Sequence, residues 1–201
     1  CWVPDVKEGD NLSGDLSHKR LLPSLKFIGP LSRFAHLNGA SYEKKYDVMV
    51  TLSGPEPQRS IFESLVIDQL QKSSLKGIIV RGVPGESVSN QNGVVIHSHL
   101  NTQKMYEAMM SSDVVLSRPG YSTIMDLAAL GKKAVFVPTP GQTEQEYLAK
   151  MLQKRGLFYS ESQHEFKLET ALAKAHEFSG IKMAPNPSLL KDAVQKLLSR
   201  I

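Results

Sequence analysis

Short apolar runs alternate with longer helical patterns along most of this 201-residue chain, and this alternation constrains its fold more than any other feature. The alternating segments are residues 47–52, 61–70, 77–80, 94–96, 105–110, 114–116, 124–130 and 134–137. Further helical patterns cover residues 145–154, 166–178 and 188–199. Strands that are apolar throughout and alternate with helices are typical of a parallel sheet covered on both faces. The pattern therefore predicts an α/β fold with a doubly wound parallel sheet of about six strands.

The first part of the chain has a different composition. Residues 1–45 are polar and rich in Gly, Ser, Pro and Asn, with a short apolar run at residues 26–30. We interpret residues 1–45 as a linker with one strand at that run, and residues 2–5 as a strand that leads into a turn. Cys1 at the start is compatible with a lipid anchor. The bulky Trp2 beside it disfavours the anchor, and because there is no initiator Met we expect the chain to be the remainder of a longer protein.

Composition and charge exclude several classes of protein. At 41% hydrophobic residues the chain can form one full core, and no apolar run approaches the ~20 residues of a membrane span. The net charge is +4, but the Lys and Arg residues are scattered, so a nucleic-acid groove is not indicated. The single Cys excludes an internal disulfide and a cysteine metal cage, in agreement with a cytoplasmic protein.

Residues 117–126 combine the end of an apolar run, a glycine turn and a helix start. The first N–H groups of a helix have no intrahelical partners and lie at the positive end of its dipole, so they suit a phosphate. The residues at this helix start are Gly120, Tyr121, Ser122 and Thr123. Asp126 lies one turn later on the same face, within reach of a ribose diol. The alternative is a capping box of Thr123 and Asp126, which needs no ligand.

Two loops after earlier apolar runs carry residue types that bind phosphate. Ser53 and Gly54 follow the first strand of the sheet and either present backbone amides to a diphosphate or form an ordinary Gly-Pro turn. Arg81 follows residues 77–80 and either reaches a phosphate or base through its guanidinium or lies free on the surface. Both alternatives stay open on the sequence alone.

A third loop carries two histidines. His97 and His99 alternate at a strand end without a cysteine or an acidic third ligand beside them, so a zinc site is not expected. We expect the edges of this loop to contact a flat base, with Thr102 as the cap of the following helix.

A fourth loop, at residues 138–147, leads from a strand into a helix. Its prolines and glycine indicate a rigid turn, and we expect Thr143 to cap the helix. Acidic residues in a first turn complement the helix dipole without any ligand. The neutral amide of Gln145 adds nothing to the dipole and suits sugar hydroxyls instead. Gln142 on the same loop is a second candidate.

Taken together, residues 117–145 resemble the C-terminal half of MurG-type glycosyltransferases, which belong to the GT-B class. The resemblance is carried by Ser117-Arg118-Pro119-Gly120, Thr123, Asp126, Leu127-Ala128-Ala129-Leu130-Gly131-Lys132, Val137-Pro138 and Gln145. It spans about residues 46–157, and residues 27–34 look like the interdomain connection of the same proteins. The resemblance implies a Rossmann-like, nucleotide-sugar-binding domain over residues 46–201. It also implies that residues 1–45 are an interdomain linker and remnant of a missing N-terminal domain.

In that family the C-terminal domain holds a nucleotide-sugar donor, usually UDP-linked, and the N-terminal domain holds the acceptor. The resemblance therefore implies metal-independent transfer of a hexosyl or N-acetylhexosaminyl group from a UDP-sugar substrate to an acceptor hydroxyl, without a further cofactor. The implied partners are the donor and an upstream acceptor-binding domain, with peripheral membrane contact where the acceptor is a lipid. No nucleic-acid partner is expected, and the expected location is cytoplasmic or at a membrane.

The resemblance also implies roles for individual residues. Asp126 takes the position of the family's ribose-binding acid, usually a Glu, and Gln145 matches the first of two adjacent glutamines that contact the donor sugar, with Glu146 replacing the second. The family has a longer glycine-serine loop at Ser53-Gly54. The candidate donor-binding residues are Ser53, Gly54, Arg81, His99, Thr102, Gly120, Tyr121, Ser122, Thr123, Asp126, Gln142 and Gln145.

The general base of the family comes from the N-terminal half, so this chain alone is expected to be inactive. Among its own residues His36, His97 and His99 are candidates by residue type only. Two alternatives stay open. A nucleotide-sugar hydrolase or epimerase of the same plan would use Glu144 and Glu146. A separate nucleotide-binding subunit would act with a partner chain, although residues 2–34 favour an upstream domain.

Overall fold

A computed structural model describes residues 1–19, 24–37 and 42–199. The helices are α1 (Asp15–His18), α2 (Gln58–Gln71), α3 (Thr102–Met110), α4 (Tyr121–Leu130), α5 (Thr143–Lys154), α6 (Leu168–Ala175) and α7 (Pro187–Leu198). The strands are β1 (Trp2–Val3), β2 (Lys26–Phe27), β3 (Tyr46–Thr51), β4 (Gly77–Val80), β5 (Val88–Gln91), β6 (Val94–His97), β7 (Ser112–Ser117), β8 (Lys133–Phe136) and β9 (Tyr159–Ser160).

The main sheet has seven strands in the order β5-β6-β4-β3-β7-β8-β9. Its neighbouring strands are parallel except β5 and β6, which are antiparallel. The predicted doubly wound parallel sheet is therefore confirmed. The exposed edge strand β5 and the short strand β9 were not predicted from the sequence.

Helices cover both faces of the sheet and enclose a separate core on each. On one face Val115 of β7 packs with residues of α3, α4 and α5. On the other face Val114 and Leu116, its neighbours in β7, pack with residues of α2 and α6. Successive side chains of a strand point to opposite faces, so an apolar strand such as β7 is buried from both sides.

The N-terminal segments pack on the face that carries α3, α4 and α5. Strands β1 and β2 pair in parallel as a small separate sheet, and Leu12 and Phe34 are buried in that face's core. The Tyr121 hydroxyl donates to the Pro4 carbonyl over 3.1 Å, and Arg155 donates to the Asn11 carbonyl over 2.5 Å. The segments expected to be a linker therefore contribute to this core, and the domain boundary at residue 45 stays a prediction.

In the part of the chain that the structure describes, no helix combines the length and the apolar character that a membrane crossing requires.

Candidate functional site

The carboxyl ends of the parallel strands meet at one edge of the sheet. Thr51 at the end of β3 pairs with Val80 at the end of β4 and with Ser117 at the end of β7. Strands β4 and β6 lie on one side of β3 and strand β7 on the other, so the topology switches between β3 and β7. Ligands of doubly wound sheets bind outside the carboxyl ends at such a switch point.

The loop after β3 lies beside this switch point and close to the loop after β8. Ser53 and Gly54 are exposed, and Gly54 has a φ of 103°, which favours glycine. A Cβ atom at Gly54 would lie 3.5 Å from the Thr139 hydroxyl. The structure thus brings the predicted Ser53-Gly54 turn next to residues that follow β8.

Helix α4 begins on the other side of the switch point. Its N-cap is Gly120, in extended conformation and with no side-chain cap. The first turn begins with Tyr121, Ser122 and Thr123, whose N–H groups have no acceptor within the helix. Thr123 is inside the helix rather than at its N-cap, so the capping box expected as the alternative is wrong. The helix start therefore remains available to an anion.

Asp126 is held by residues that are distant in sequence. Its side chain is 8% exposed; Oδ1 accepts from the Ser32 hydroxyl over 2.7 Å and Oδ2 from Arg33 Nε over 2.9 Å. Burial raises the pKa of Asp126, and the contacts with Ser32 and Arg33 act in the opposite direction. Neither Ser32 nor Arg33 was a predicted site residue, although both lie in the segment that resembles an interdomain connection. The ribose-binding role of Asp126 stays a prediction.

Arg118 is a buried cation that was not among the predicted site residues, although it belongs to the motif at residues 117–120. It is 1% exposed, and its guanidinium carbon lies 4.2 Å from the centre of the Phe62 ring. Nη1 donates to the carbonyls of Val137 and Pro138, and Nη2 donates to the Gln58 carbonyl and to Gln163. Desolvation lowers the pKa of Arg118 to about 10. One side chain thus fixes the ends of β7 and β8 against α2 and the segment after β9.

The loop after β8 is fixed by the first turn of α5. Gln145 Oε1 accepts from the Thr139 N–H over 2.8 Å, and Glu146 Oε1 accepts from the Gly141 N–H over 3.0 Å. The N-cap of α5 is the exposed Gln142 rather than Thr143, so the predicted cap is wrong by one residue. Gln145 therefore shapes the loop through its oxygen.

Unpartnered polar atoms cluster at the ends of β7 and β8. Within the described residues, the buried side-chain atoms without a hydrogen-bond partner are Ser117 Oγ, Arg118 Nε and Thr139 Oγ1. Buried polar groups normally have partners from the protein, water or a ligand. This part of the edge therefore retains unused hydrogen-bonding capacity.

The loop after β4 is more exposed. The sequence left Arg81 open between a contact with a phosphate or base and a free surface position. Its Nε lies 2.5 Å from Glu63 Oε1, and its side chain is 33% exposed, so the phosphate contact stays a prediction. Arg59 binds the other oxygen of Glu63 over 2.9 Å. Glu63 is thus shared by two arginines, and Arg81 keeps its terminal N–H groups near the solvent.

The loop after β6 lies farther from the switch point. His99 is exposed, while His97 is partly buried, and burial together with the charge of Lys104 lowers its pKa. Thr102 is the first residue of α3 and not its cap; the cap is Asn101, whose Oδ1 accepts from the Lys104 N–H over 2.9 Å. Across the described part of the chain, no three His, Cys, Asp or Glu side chains are grouped as a metal site.

A family model described as "Glycosyltransferase family 28 C-terminal domain" matches residues 60–197. A relative from Rickettsia akari (strain Hartford) is 32% identical over 212 aligned positions, which cover 98% of this chain and 52% of the relative. One from Sulfurihydrogenibium sp. (strain YO3AOP1) is 27% identical over 111 residues, which cover 54% of this chain and 31% of the relative. Both are named UDP-N-acetylglucosamine--N-acetylmuramyl-(pentapeptide) pyrophosphoryl-undecaprenol N-acetylglucosamine transferase. The chain spans about half the length of these relatives or less.

Solved structures share the fold at low sequence identity. Acinetobacter baumannii MurG superimposes with a TM-score of 0.52 and 16% identity, covering 87% of this chain and 57% of that protein. A glycotransferase of kitacinnamycin gives a TM-score of 0.55 and 17% identity, covering 83% of this chain and 42% of that protein. These structures confirm the predicted Rossmann-like half of a GT-B fold, and the family model and the relatives confirm the resemblance to MurG-type proteins. Because this family model matches most residues of the chain, the chain belongs to the family of glycosyltransferase family 28 C-terminal domains.

Proposed function

We propose that this chain is the donor-binding half of a glycosyltransferase that moves a hexosyl or N-acetylhexosaminyl group from a UDP-sugar to an acceptor hydroxyl. The observation that carries the proposal is the first turn of α4 at the switch point between β3 and β7, which no side chain of the described residues caps, in a chain of this family. The names of the relatives favour UDP-N-acetylglucosamine as the donor.

The diphosphate is proposed to lie between the start of α4 and the Ser53-Gly54 turn. The amides of Tyr121, Ser122 and Thr123 would donate to its oxygens, together with the hydroxyls of the last two. Negative charge builds on the diphosphate as the bond to the sugar breaks, and the positive end of a helix stabilises that charge. In this arrangement amides and hydroxyls, rather than a bound cation, assist departure of the diphosphate.

The nucleoside and the sugar would occupy positions on either side of the diphosphate. Asp126 is proposed to accept hydrogen bonds from the ribose diol. Gln145 is proposed to donate to sugar hydroxyls through its amide nitrogen, because its oxygen is bound by the Thr139 N–H. Arg33 keeps terminal N–H groups beside Asp126, and its side chain is 48% exposed, so it could add a charge-assisted contact to the nucleotide.

In the reaction an acceptor hydroxyl attacks the anomeric carbon, the carbon–oxygen bond to the diphosphate breaks, and a base takes the hydroxyl proton. We assign that base to an upstream acceptor-binding domain, because the chain spans only about half of the relatives. An undecaprenol-linked acceptor, as in the names of those relatives, would bring the whole protein to the cytoplasmic surface of a membrane.

Calorimetry of the 201-residue chain with UDP, ADP and GDP, in the presence of a metal chelator, tests donor binding. UDP should bind most tightly, and the Lys72→Ala variant, at the exposed end of α2 on the opposite edge of the sheet, should bind it equally well. Equal binding of all three nucleotides in the millimolar range or weaker would contradict the proposal.

Incubation of the same chain with UDP-N-acetylglucosamine separates the proposal from its alternatives. We expect no turnover without the acceptor-binding half. Release of free sugar would favour the hydrolase, whose candidate acids are the exposed Glu144 and the Gly141-bound Glu146. Transfer restored by a separately encoded partner chain would favour the two-chain alternative.

A further inference from the structure

Ser32 joins the N-terminal part of the chain to the carboxylate of Asp126. Its hydroxyl donates to Asp126 Oδ1 over 2.7 Å and accepts from the Phe34 N–H over 3.1 Å. A hydroxyl can donate one hydrogen bond while it accepts another, so both contacts form together. The Ser32 side chain is therefore fixed between its own turn and helix α4.

The segment around Ser32 is held firmly against α4. Phe34 is 2% exposed and belongs to the core on that face, and the Leu31 N–H lies 3.3 Å from Met125 Sδ. Arg33 occupies the second oxygen of Asp126. Each carboxylate oxygen thus accepts from one side chain of this segment.

An ionised carboxylate has about two acceptor positions on each oxygen. The Ser32 hydroxyl occupies a position on one oxygen and Arg33 Nε a position on the other, and each oxygen keeps further acceptor capacity. Two adjacent acceptors match the two adjacent hydroxyls of a ribose. The donors from the N-terminal segment determine which way this remaining capacity faces.

We propose that Ser32 is a positioning residue for nucleotide binding, which orients the Asp126 carboxylate so that its remaining acceptor positions face the 2′ and 3′ hydroxyls of the ribose. This inference rests on the proposed donor-binding function. The Ser32 contact also favours the ionised form of Asp126, which burial disfavours, and only the ionised form keeps both oxygens as acceptors. Ser32 acts through Asp126 and need not touch the ligand.

A purely structural role for Ser32 predicts a different result. If its hydroxyl only docked the N-terminal segment on α4, its removal would weaken binding of every nucleotide to the same extent. If it orients Asp126, its removal affects only the part of the affinity that depends on the ribose hydroxyls. A pair of nucleotides that differ in one hydroxyl separates these roles.

The experiment measures binding of UDP and 2′-deoxy-UDP by calorimetry, together with the melting temperature of each variant. The wild-type chain should prefer UDP by about tenfold, the usual effect of a hydrogen bond to a charged group. In Ser32→Ala this preference should fall to about threefold or less, because the affinity for UDP falls more than that for 2′-deoxy-UDP, which keeps only the 3′ hydroxyl. Ser32→Thr, which retains the hydroxyl, should keep the wild-type preference. Ser24→Ala, an exposed serine of the same N-terminal part, is the matched control and should also keep it.

Ser32→Cys provides a second test should the alanine variant fold poorly, because a thiol is a weak donor of nearly the same shape. It should give a preference between those of the alanine variant and the wild type. An unchanged preference in Ser32→Ala or Ser32→Cys, or an equal loss of affinity for both nucleotides, would overturn the role of Ser32 and leave the proposed function standing. A wild-type chain that binds neither nucleotide would overturn the proposed function itself.

Discussion

The carboxyl ends of the parallel strands form one edge of the main sheet, and the two sides of this edge differ in how their charged residues are held. The β7–β8 side consists of the ends of β7 and β8 together with α4, and the β4–β6 side consists of the loops after β4 and β6. On the β7–β8 side, Arg118 and Asp126 are 1% and 5% exposed and are bonded to segments far away in sequence. On the β4–β6 side, the Arg81 side chain is 33% exposed and His99 is exposed. One side is arranged by tertiary contacts before any ligand binds, whereas the other leaves its side chains near the solvent.

The position of the strands explains this difference. Strand β7 lies inside the sheet between β3 and β8, whereas β6 lies beside the polar edge strand β5. The N-terminal segment also packs on α4, and it supplies both partners of Asp126. Polar groups that are desolvated from several sides need partners, so the β7–β8 side is cross-linked. Preorganised groups of this kind are those that stabilise charge effectively.

The largest expected effect is on stability, from Arg118→Ala. The change removes the Arg118 donor from the carbonyls of Val137 and Pro138, while the Gln58 carbonyl keeps its partner within α2. The expected cost is roughly 2–4 kcal/mol in the free energy of unfolding. Arg81→Ala is the matched control on the exposed side, where Glu63 keeps Arg59 as a partner, and it should cost about 1 kcal/mol or less. Urea unfolding of both variants measures the difference. If both variants lost the same free energy of unfolding, the contrast between the two sides would be contradicted.

The next effect concerns binding, from Asp126→Asn. Loss of the charge should weaken UDP binding by about tenfold to a hundredfold. The stability cost should be small, because burial raises the pKa of Asp126 and the neutral amide is relieved of that desolvation. The lost ion pair involves a half-exposed arginine and is worth about 1 kcal/mol or less.

Asp113→Asn is the control for this variant, since Asp113 lies near the start of β7, at the other end of the strand. It should leave UDP affinity unchanged. Calorimetry and thermal melts on both variants decide the question. Unchanged affinity in Asp126→Asn with a lower melting temperature would assign Asp126 a structural role only.

The sequence predicted the two sides unequally well. Apolar runs such as residues 114–116 and 134–137 identify strands by composition alone, and the glycine turn at Gly120 marks the start of α4. Local signals for two missed features were also present. Asn92-Gly93, both with positive φ, is a strong hairpin signal that would have identified β5, and Asn101 is a better cap than Thr102.

The contacts that organise the site had no comparable local signal. Ser32 and Arg33 meet Asp126 across more than 90 residues, and nothing adjacent to Arg118 in sequence marks it as buried. Such contacts depend on how α4 and the loops pack after the sheet has formed. The sequence could therefore place the candidate residues on one edge of the sheet. It could not determine which of them would be bound by side chains distant in sequence.

A third, smaller effect compares two glutamines of one loop. Gln145→Ala removes the acceptor of the Thr139 N–H and should lower the free energy of unfolding by about 1 kcal/mol. Gln142→Ala, an exposed N-cap without a side-chain capping bond, should lower it by only a few tenths of that amount. Thermal melts of the pair test this ranking. A larger cost for Gln142→Ala would mean that the loop is held from its exposed side.

The smallest expected effect is a pH dependence on the β4–β6 side. Burial, assisted by Lys104, lowers the pKa of His97 below its ordinary value of 6.5. The unfolded chain therefore binds a proton at this residue at a higher pH than the folded chain does. The stability contributed by neutral His97 is present above pH 6.5 and is lost as the pH falls through the lower pKa of the folded state. His97→Gln abolishes this titration, and melting temperatures at about pH 7.5 and pH 5.5 should differ less in the variant than in the wild type. The exposed His99 supplies the matched variant His99→Gln, which should keep the wild-type difference. If His99→Gln instead reduced the difference in melting temperature between the two pH values, the loop after β6 would be more enclosed than the loop after β4. The contrast between the two sides of the edge would then not hold.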